Sequence, residues 1–177
     1  LFYEKMDFIP SEEQAEIIND PSRYKLVAGG VRAGKSRLAS VYLVTKILES
    51  FTNDTAKGGD VYWLVAADYE RTRAEFSYIS QDLAKLSLLG DVTKPINPGT
   101  ITVSGMEPPI LIKTKSASDY KTLAMESPRG IVACEASQID LESFWRLQER
   151  LVESRGWLFL EGTFESSLGW YPERFTA

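Results

Sequence analysis

Histidine is absent from the 177 residues of this chain, and Cys134 is its only cysteine. A chain without histidine has neither a Ser-His-Asp nor a Cys-His catalytic arrangement, and it lacks the imidazole ligands common at zinc and haem sites. A single cysteine excludes a disulfide within the chain and suits the reducing cytoplasm. Any catalysis is therefore expected to use carboxylates, lysine, arginine and a bound metal ion.

Long apolar runs are also missing, and the longest ones, such as residues 61–67, are much shorter than the roughly 20 residues of a membrane-spanning helix. We therefore expect no membrane segment. The length corresponds to one domain. A formal charge of −5 gives no general attraction for nucleic acid, so a DNA partner would need a local basic surface. The chain begins with Leu1 and shows no leader pattern, so we interpret it as a fragment of a longer protein.

Residues 29–36 match the phosphate-binding pattern G-x-x-x-x-G-K-[ST], between an apolar run and a helical pattern. Glycines let successive N–H groups point at phosphate oxygens, and the following helix presents the positive end of its dipole. Lys35 would neutralise the β- and γ-phosphates, and the Ser36 hydroxyl would hold Mg²⁺. The pattern predicts a nucleoside triphosphate site. The predicted contacts of this segment are Gly29, Gly30, Val31, Arg32, Ala33, Gly34, Lys35, Ser36 and Arg37.

Apolar runs typical of buried strands alternate with helical patterns along the chain. The predicted strands are residues 26–28, 61–67, 110–113, 131–134 and 157–160, and residues 91–109 predict a short hairpin. Helical patterns begin at Ser11, Ser36, Asp68 and Asp140. This alternation predicts a single α/β domain, residues 1–177, with a largely parallel central sheet flanked by helices on both faces. Its ligand is expected at the carboxyl ends of the strands.

An NTPase of this kind needs an acid that orients water, usually at the end of a second buried strand. Two acids compete for this role, Asp68 after residues 61–67 and Glu135 after residues 130–134. We favour Glu135, because catalytic-glutamate NTPases place this acid well downstream of the phosphate loop and because Asp68 is already explained as a helix cap.

Cys134 stands where such strands usually carry the metal-binding aspartate, and a neutral thiol is a poor ligand for a hard cation. Two arrangements are open. Either Ser36, phosphates and water hold Mg²⁺ with Glu135 in the outer shell, or the aspartate comes from elsewhere in the chain.

Taken in order, these motifs resemble the large terminase subunits of tailed bacteriophages, the motors that drive DNA into preformed capsids. Residues 8–14 resemble the family's adenine-contacting Gln motif, residues 29–36 its Walker A loop, and residues 66–70 the segment after its second strand. Residues 128–135 resemble its Walker B region, and residues 161–164 its coupling motif. The likeness spans nearly the whole chain, and the ordered set rather than the phosphate loop alone is specific for the family.

The resemblance implies an ASCE-type P-loop ATPase that uses ATP and Mg²⁺ and contacts adenine through Gln14. It implies that Lys35 and Arg32 neutralise phosphate charge, that Glu135 orients water, and that Arg129 of a neighbouring subunit completes the site. The implied coupling residues are Gly162 and Thr163.

The implied partners are double-stranded DNA, the portal of the procapsid, the small terminase subunit and further copies of the chain in a ring. The implied location is the host cytoplasm. The family's nuclease domain would lie beyond Ala177, so this chain is not expected to cut DNA.

Each of these roles has an alternative from the residues themselves. Gln14 could complete a capping box with Ser11, Arg32 could be a solvated loop charge, and Thr163 could begin a turn. Arg129 could pair with Glu126 or another nearby acid.

Two other functions remain open for the chain as a whole. A helicase-like DNA-dependent ATPase would share the Gln motif, the phosphate loop and the coupling segment. A nucleotide-binding switch or scaffold with weak hydrolysis would explain Cys134 as the sign of a degraded metal site.

Overall fold

The computed structural model describes residues 2–94, 96–165 and 169–176, with the side chains of 175 and 176 left aside. Within these ranges the strands are β1 (Tyr24–Ala28), β2 (Val61–Ala66), β3 (Leu89–Val92), β4 (Thr100–Val103), β5 (Ile110–Ser116), β6 (Gly130–Ala133) and β7 (Trp157–Gly162). The helices are α1 (Phe2–Lys5), α2 (Glu12–Asn19), α3 (Lys35–Thr52), α4 (Arg73–Lys85), α5 (Leu141–Ser154) and α6 (Trp170–Thr176). Short 3₁₀ turns occupy Tyr69–Thr72, Tyr120–Leu123 and Ala136–Gln138.

The strands form one sheet in the order β1-β7-β6-β2-β5-β4-β3. The first five strands of this order are parallel, whereas β4 and β3 form an antiparallel hairpin at one edge. The predicted largely parallel sheet is confirmed, and the hairpin lies within and just before the predicted segment 91–109. The carboxyl ends of parallel strands all lie on the same side of the sheet, and ligands bind in the crevice outside these ends.

Each central strand is buried on both faces, as expected for strands covered by helices. Along β2, Trp63 and Val65 join one apolar cluster with α5 and α6, whereas Tyr62 and Leu64 join another with α3 and α4. Side chains alternate between the two faces because the pleat repeats every two residues. The predicted helical layers on both faces are therefore confirmed.

α3 is the central helix of its layer, and buried side chains surround much of it, including Leu38, Val41 and Ile47. It is also the longest helix, with 18 residues. Across the described ranges, no helix combines the length and apolar character needed to cross a membrane.

Polar residues at the predicted starts of three helices act as caps. Ser11 caps α2 with a complete capping box, in which the Ser11 N–H donates to Oε1 of Gln14 at 3.0 Å. Asp68 caps the 3₁₀ turn before α4, and Asp140 caps α5. Capping groups accept from helix N–H groups that otherwise lack partners.

The strand order places β7 between β1 and β6. The phosphate loop follows β1, Glu135 follows β6, and Gly162 ends β7. All three therefore lie at the carboxyl ends of the parallel strands, with the end of β7 in the middle.

Candidate functional site

The phosphate loop between β1 and α3 is shaped by two left-handed backbone positions. Gly34 has φ 75° and ends the loop as the N-cap of α3, and Arg32 has φ 64°. Glycine adopts the left-handed region without the clash that a Cβ would bring. The loop therefore ends with the first N–H groups of an 18-residue helix directed at its concave side, which favours an anion.

Lys35 folds back over this loop. Its Nζ donates to the carbonyl oxygens of Gly29 at 3.0 Å and Gly30 at 2.7 Å. The ammonium group is thus hydrogen-bonded to neutral carbonyl oxygens. An anionic phosphate group in the loop would attract it more strongly than these carbonyls do.

Beside the loop lies a cleft of ≈450 Å³, a size within the usual range of small-molecule sites. Its lining comes from the phosphate loop, the turn after β2, the turn after β6 and the end of β7. The lining residues are Val31, Arg32, Lys35, Ser36, Arg71, Glu135, Ser137, Gln138, Glu161, Gly162 and Thr163. The structure thus brings together the predicted Arg32, Lys35, Ser36, Glu135, Gly162 and Thr163.

Glu135 stands in the left-handed region, with φ 45° and ψ 47°, directly before the 3₁₀ turn Ala136–Gln138. This conformation costs a residue other than glycine roughly 1–2 kcal/mol. The carboxylate of Glu161 holds it in place by accepting from the Glu135 N–H at 2.8 Å. Backbone strain of this kind is concentrated at functional sites, which agrees with the choice of Glu135 over Asp68.

Arg71 is a site residue that the sequence reasoning missed. Its guanidinium pairs with the Glu135 carboxylate across the cleft, and its Nε donates to Asp68 at 3.0 Å. Asp68 also accepts from the Arg71 N–H, which confirms its role as a cap. The only signal in the sequence was an arginine soon after a strand end, which by itself is common on protein surfaces.

Two carboxyls are buried next to Glu135. The sequence reasoning assigned no site role to Glu75, and it placed Glu161 only in the motif of residues 161–164. Glu161 is 2% exposed, and burial, opposed by the hydrogen bond from the Glu135 N–H, raises its pKa from 4.5 to about 7. Glu75, in the first turn of α4, is 1% exposed, and burial raises its pKa above the usual 4.5. Each carboxyl also raises the pKa of the thiol of Cys134, after the larger effect of burial.

The site provides hard oxygen donors that suit Mg²⁺, which prefers a few carboxylate or hydroxyl ligands together with phosphate and water. These donors are the Ser36 hydroxyl and the carboxylates near it. No group of three or more carboxyl, thiol or imidazole side chains in the described ranges is arranged to hold an ion by itself.

Gln14 lies beside the phosphate loop as well as in its capping box. A Cβ built on Gly34 would lie 3.4 Å from Nε2 of Gln14, while Oε1 of the same amide accepts from the Ser11 N–H. The two roles proposed for Gln14 are thus compatible, because they use different atoms of its amide.

Arg37, predicted among the nucleotide contacts, is occupied elsewhere. Its Nη2 donates to Oδ1 of Asp82 at 2.9 Å and to the carbonyl of Met6 at 2.7 Å. Asp82 is buried, so this pair ties α3 to α4. Arg37 is not among the residues that line the cleft.

Arg129 lies at the opposite edge of the sheet, where β6 begins. It is about 20 Å from Glu135 along the strand, from the rise per residue, and it pairs with Asp60 at 3.6 Å. Glu126 instead contacts Lys113 and Lys115. Arg129 therefore lies far from the phosphate loop of its own chain.

Thr163 and Gly162 lie where β7 meets the phosphate loop. The Gly162 carbonyl accepts from the Gly29 N–H at 3.3 Å, and a Cβ on Gly162 would lie 3.1 Å from Oγ of Ser137. Thr163 Oγ1 donates to the carbonyl of Glu165 at 3.3 Å, as a residue that begins a turn would. The end of β7 therefore contacts both the loop after β1 and the turn after β6.

No protein-family model matches this chain, and no curated protein matches its sequence. Solved structures do match its fold. The ATPase domain of the Thermus phage P74-26 large terminase superimposes with a TM-score of 0.77 at 20% identity, covering 98% of this chain and 72% of that chain.

Two further phage proteins match at lower identity. The large terminase of a thermophilic bacteriophage in complex with ATP-γ-S gives a TM-score of 0.64 at 13% identity over 86% of this chain and 37% of that one. The HK97 large terminase gives 0.64 at 13% identity over 88% and 33%. This chain thus spans about a third of those two proteins, and it has the fold of a phage large terminase ATPase domain.

The raised pKa of Glu161 leads to a prediction about stability. Below pH 4.5 this carboxyl is neutral in the folded and unfolded chain, whereas above about pH 7 its burial as an anion destabilises the fold. Stability should therefore fall as pH rises between these values, by at most about 3 kcal/mol from this group. Glu161→Gln keeps an acceptor for the Glu135 N–H and should reduce that fall.

The measurement is the free energy of unfolding in urea at about pH 5 and about pH 8. Glu149→Gln, which changes an exposed carboxyl on α5, is the control and should retain the wild-type difference. An unchanged difference in Glu161→Gln would contradict the assignment of this titration to Glu161.

Proposed function

We propose that this chain is the ATP-hydrolysing motor domain of a viral large terminase, which powers movement of double-stranded DNA into a capsid. One observation carries the proposal: the phosphate loop, the strained Glu135 and the end of β7 share one cleft. The resemblance of the ordered motifs and the fold of phage terminase ATPase domains support it.

The residues of the cleft suit phosphoryl transfer to water, which depends on positioning and electrostatic stabilisation. The loop N–H groups and the start of α3 bind the triphosphate, and Lys35 and Arg32 neutralise its charge. Glu135 orients the attacking water and accepts its proton. Ser36 would hold Mg²⁺, which would supply positive charge for the phosphate oxygens.

Arg71 is the arginine that contacts Glu135 in the same chain. A γ-phosphate near Glu135 would be a second anionic group in the cleft. It would therefore compete with the Glu135 carboxylate for the Arg71 guanidinium. Releasing Glu135 from this pair would leave its carboxylate available to a water molecule. Arg71 thus adds a cation to the site in addition to the Arg129 that we assign to a neighbour.

Coupling to movement is assigned to the segment after β7. Gly162 packs against Ser137 and accepts a hydrogen bond from the phosphate loop. A movement on either side of the cleft would therefore displace the neighbouring Thr163. The partners we propose are DNA, the portal of the procapsid, the small terminase subunit and further copies of the chain in a ring. The host cytoplasm is the proposed location.

The first test is ATP turnover with and without double-stranded DNA. We expect hydrolysis that duplex DNA stimulates. Lys35→Ala should lower it by about 10²–10³-fold, the usual effect of losing a preorganised phosphate contact. Lys57→Ala, an exposed lysine before β2, is the control and should turn over at the wild-type rate.

The outcomes of this test separate the candidate functions. Near-normal turnover by Lys35→Ala would end the assignment of the phosphate loop. Nucleotide binding with no turnover under any condition would favour a switch, and ATP-driven separation of DNA strands would favour a helicase-like enzyme over a packaging motor.

The choice of catalytic acid is tested by two carboxyl-to-amide substitutions. Glu135→Gln should bind ATP normally but hydrolyse it about 10²–10⁴-fold more slowly, because the amide cannot accept a proton. Asp68→Asn keeps a capping oxygen for the Arg71 N–H and should retain turnover. If Asp68→Asn is inactive while Glu135→Gln hydrolyses ATP, the catalytic acid follows β2 instead.

Arg129→Ala should slow hydrolysis by about 10³–10⁵-fold while leaving ATP binding by a single subunit intact. The ion pair with Asp60 is long, at 3.6 Å, and partly buried, so its loss lowers the stability of the fold, which the free energy of unfolding in urea measures separately from turnover. Lys46→Ala, which removes another cation near Arg129, is the control and should leave turnover unchanged.

A subunit-mixing experiment determines whether Arg129 acts in trans. Arg129→Ala subunits keep Glu135, and Glu135→Gln subunits keep Arg129. At interfaces of one orientation, an intact arginine meets an intact active site, so co-assembled mixtures should regain activity. Mixtures that co-assemble and remain inactive show that Arg129 has no action in trans.

A further inference from the structure

Cys134, which stands where an aspartate is usual, lies next to a buried carboxyl on a neighbouring strand. Cys134 follows β6, and Glu161 lies on the neighbouring β7, one residue beyond the paired Ala133 and Leu160. Alternation places both side chains on the face covered by α3 and α4, because Val132 and Phe159 belong to that cluster. Glu75 approaches the same point from the first turn of α4.

Glu75 is within hydrogen-bonding reach of the two side chains that matter for a metal ion here. The Ser36 hydroxyl and the Cys134 thiol both interact with its carboxyl group. Ser36 is the loop residue expected to ligate Mg²⁺, and Cys134 holds the position of the usual acidic ligand. The carboxyl of Glu75 therefore interacts with both side chains, although Glu75 is not among the residues that line the cleft.

One oxygen of this carboxyl lacks a partner. Oε2 of Glu75 makes no hydrogen bond to any described residue, although the side chain is only 1% exposed. Buried polar atoms without partners are rare and costly, and an ion is one of the recognised explanations.

The other two carboxyls of the cluster are already engaged. Glu161 accepts the Glu135 N–H, and the Glu135 side chain pairs with Arg71. Glu75 is thus the carboxyl that combines burial, proximity to Ser36 and an unused oxygen.

We propose that Glu75 supplies the carboxylate of the Mg²⁺ site, together with Ser36, in place of the aspartate that Cys134 displaces. The ligand class is a divalent hard cation that enters with the nucleotide, and the inference rests on the proposed nucleotide-binding function. A carboxylate on α4 then ligates the ion, in place of a carboxylate at the end of β6.

The test measures binding of a fluorescent non-hydrolysable ATP analogue in Mg²⁺ and in EDTA. The ratio of the dissociation constant in EDTA to that in Mg²⁺ reports how strongly the protein-bound nucleotide holds Mg²⁺ compared with the free nucleotide. It is therefore independent of catalysis. In the wild type, Mg²⁺ should tighten binding.

Glu75→Gln should lower this ratio by about 10–100-fold, as losing a supporting group of a metal site does, while affinity in EDTA stays unchanged. Adding Cys134→Asp to Glu75→Gln returns a carboxylate to the site and should restore the ratio. Glu70→Gln, which changes an exposed carboxyl in the turn before α4, is the matched control and should keep the wild-type ratio.

Each result decides a different point. A wild type that binds no nucleotide would end the proposed function itself. A wild-type ratio retained in Glu75→Gln would overturn the role of Glu75 alone, and so would a loss that Cys134→Asp does not restore. If Glu75→Gln does not fold, Glu75→Asp withdraws the carboxylate by one methylene and should lower the ratio in the same way.

Discussion

The position of β7 between β1 and β6 is the constraint on which the site depends. Parallel pairing brings the phosphate loop, the end of β7 and the turn of Glu135 together at the carboxyl ends of the strands. Register then decides which face the side chains occupy. A slip of one residue would turn Glu161 and Cys134 away from α3 and α4. The burial of both faces of these strands fixes the register, so the hydrophobic core determines where the carboxylates meet.

The cleft holds opposite charges that are only partly matched within the chain. Burial raises the pKa of both Glu75 and Glu161, and the charge of Glu75 raises that of Glu161 further. Lys35, by contrast, contacts neutral carbonyls, and Arg71 contacts Glu135. Burial of such groups costs free energy, and the left-handed Glu135 adds roughly 1–2 kcal/mol. The well-packed sheet can carry these costs. A triphosphate with its metal ion would place phosphate oxygens near Lys35 and Arg71 and a cation near the carboxylates, so that each group gains a partner.

Local sequence signals predicted the strands, the hairpin, the caps at Ser11 and Asp68, the helix that begins near Asp140, and the phosphate loop, because each depends on neighbours in the chain. Contacts between distant residues were not predictable in this way. Arg71 and Glu135 are 64 positions apart, and Arg37 and Asp82 are 45 apart. The one available signal for Glu75 was its place four residues before the buried Ile79, on the apolar face of a helix. A charged residue on such a face needs a partner, and tertiary packing alone determines which one.

Moving the acidic group from β6 to α4 has a mechanical consequence. A strand in the middle of a parallel sheet is held by hydrogen bonds on both sides, whereas a helix can shift against its neighbours as a unit. The segment from Asp68 to Glu75 also carries Arg71, which contacts Glu135. Where Glu75 holds the ion, both the metal and the γ-phosphate act on this one segment, the metal through Glu75 and the phosphate through Arg71. Occupancy of the cleft is then linked to the position of α4 relative to the sheet, through the Arg37–Asp82 pair that joins α4 to the helix of the phosphate loop.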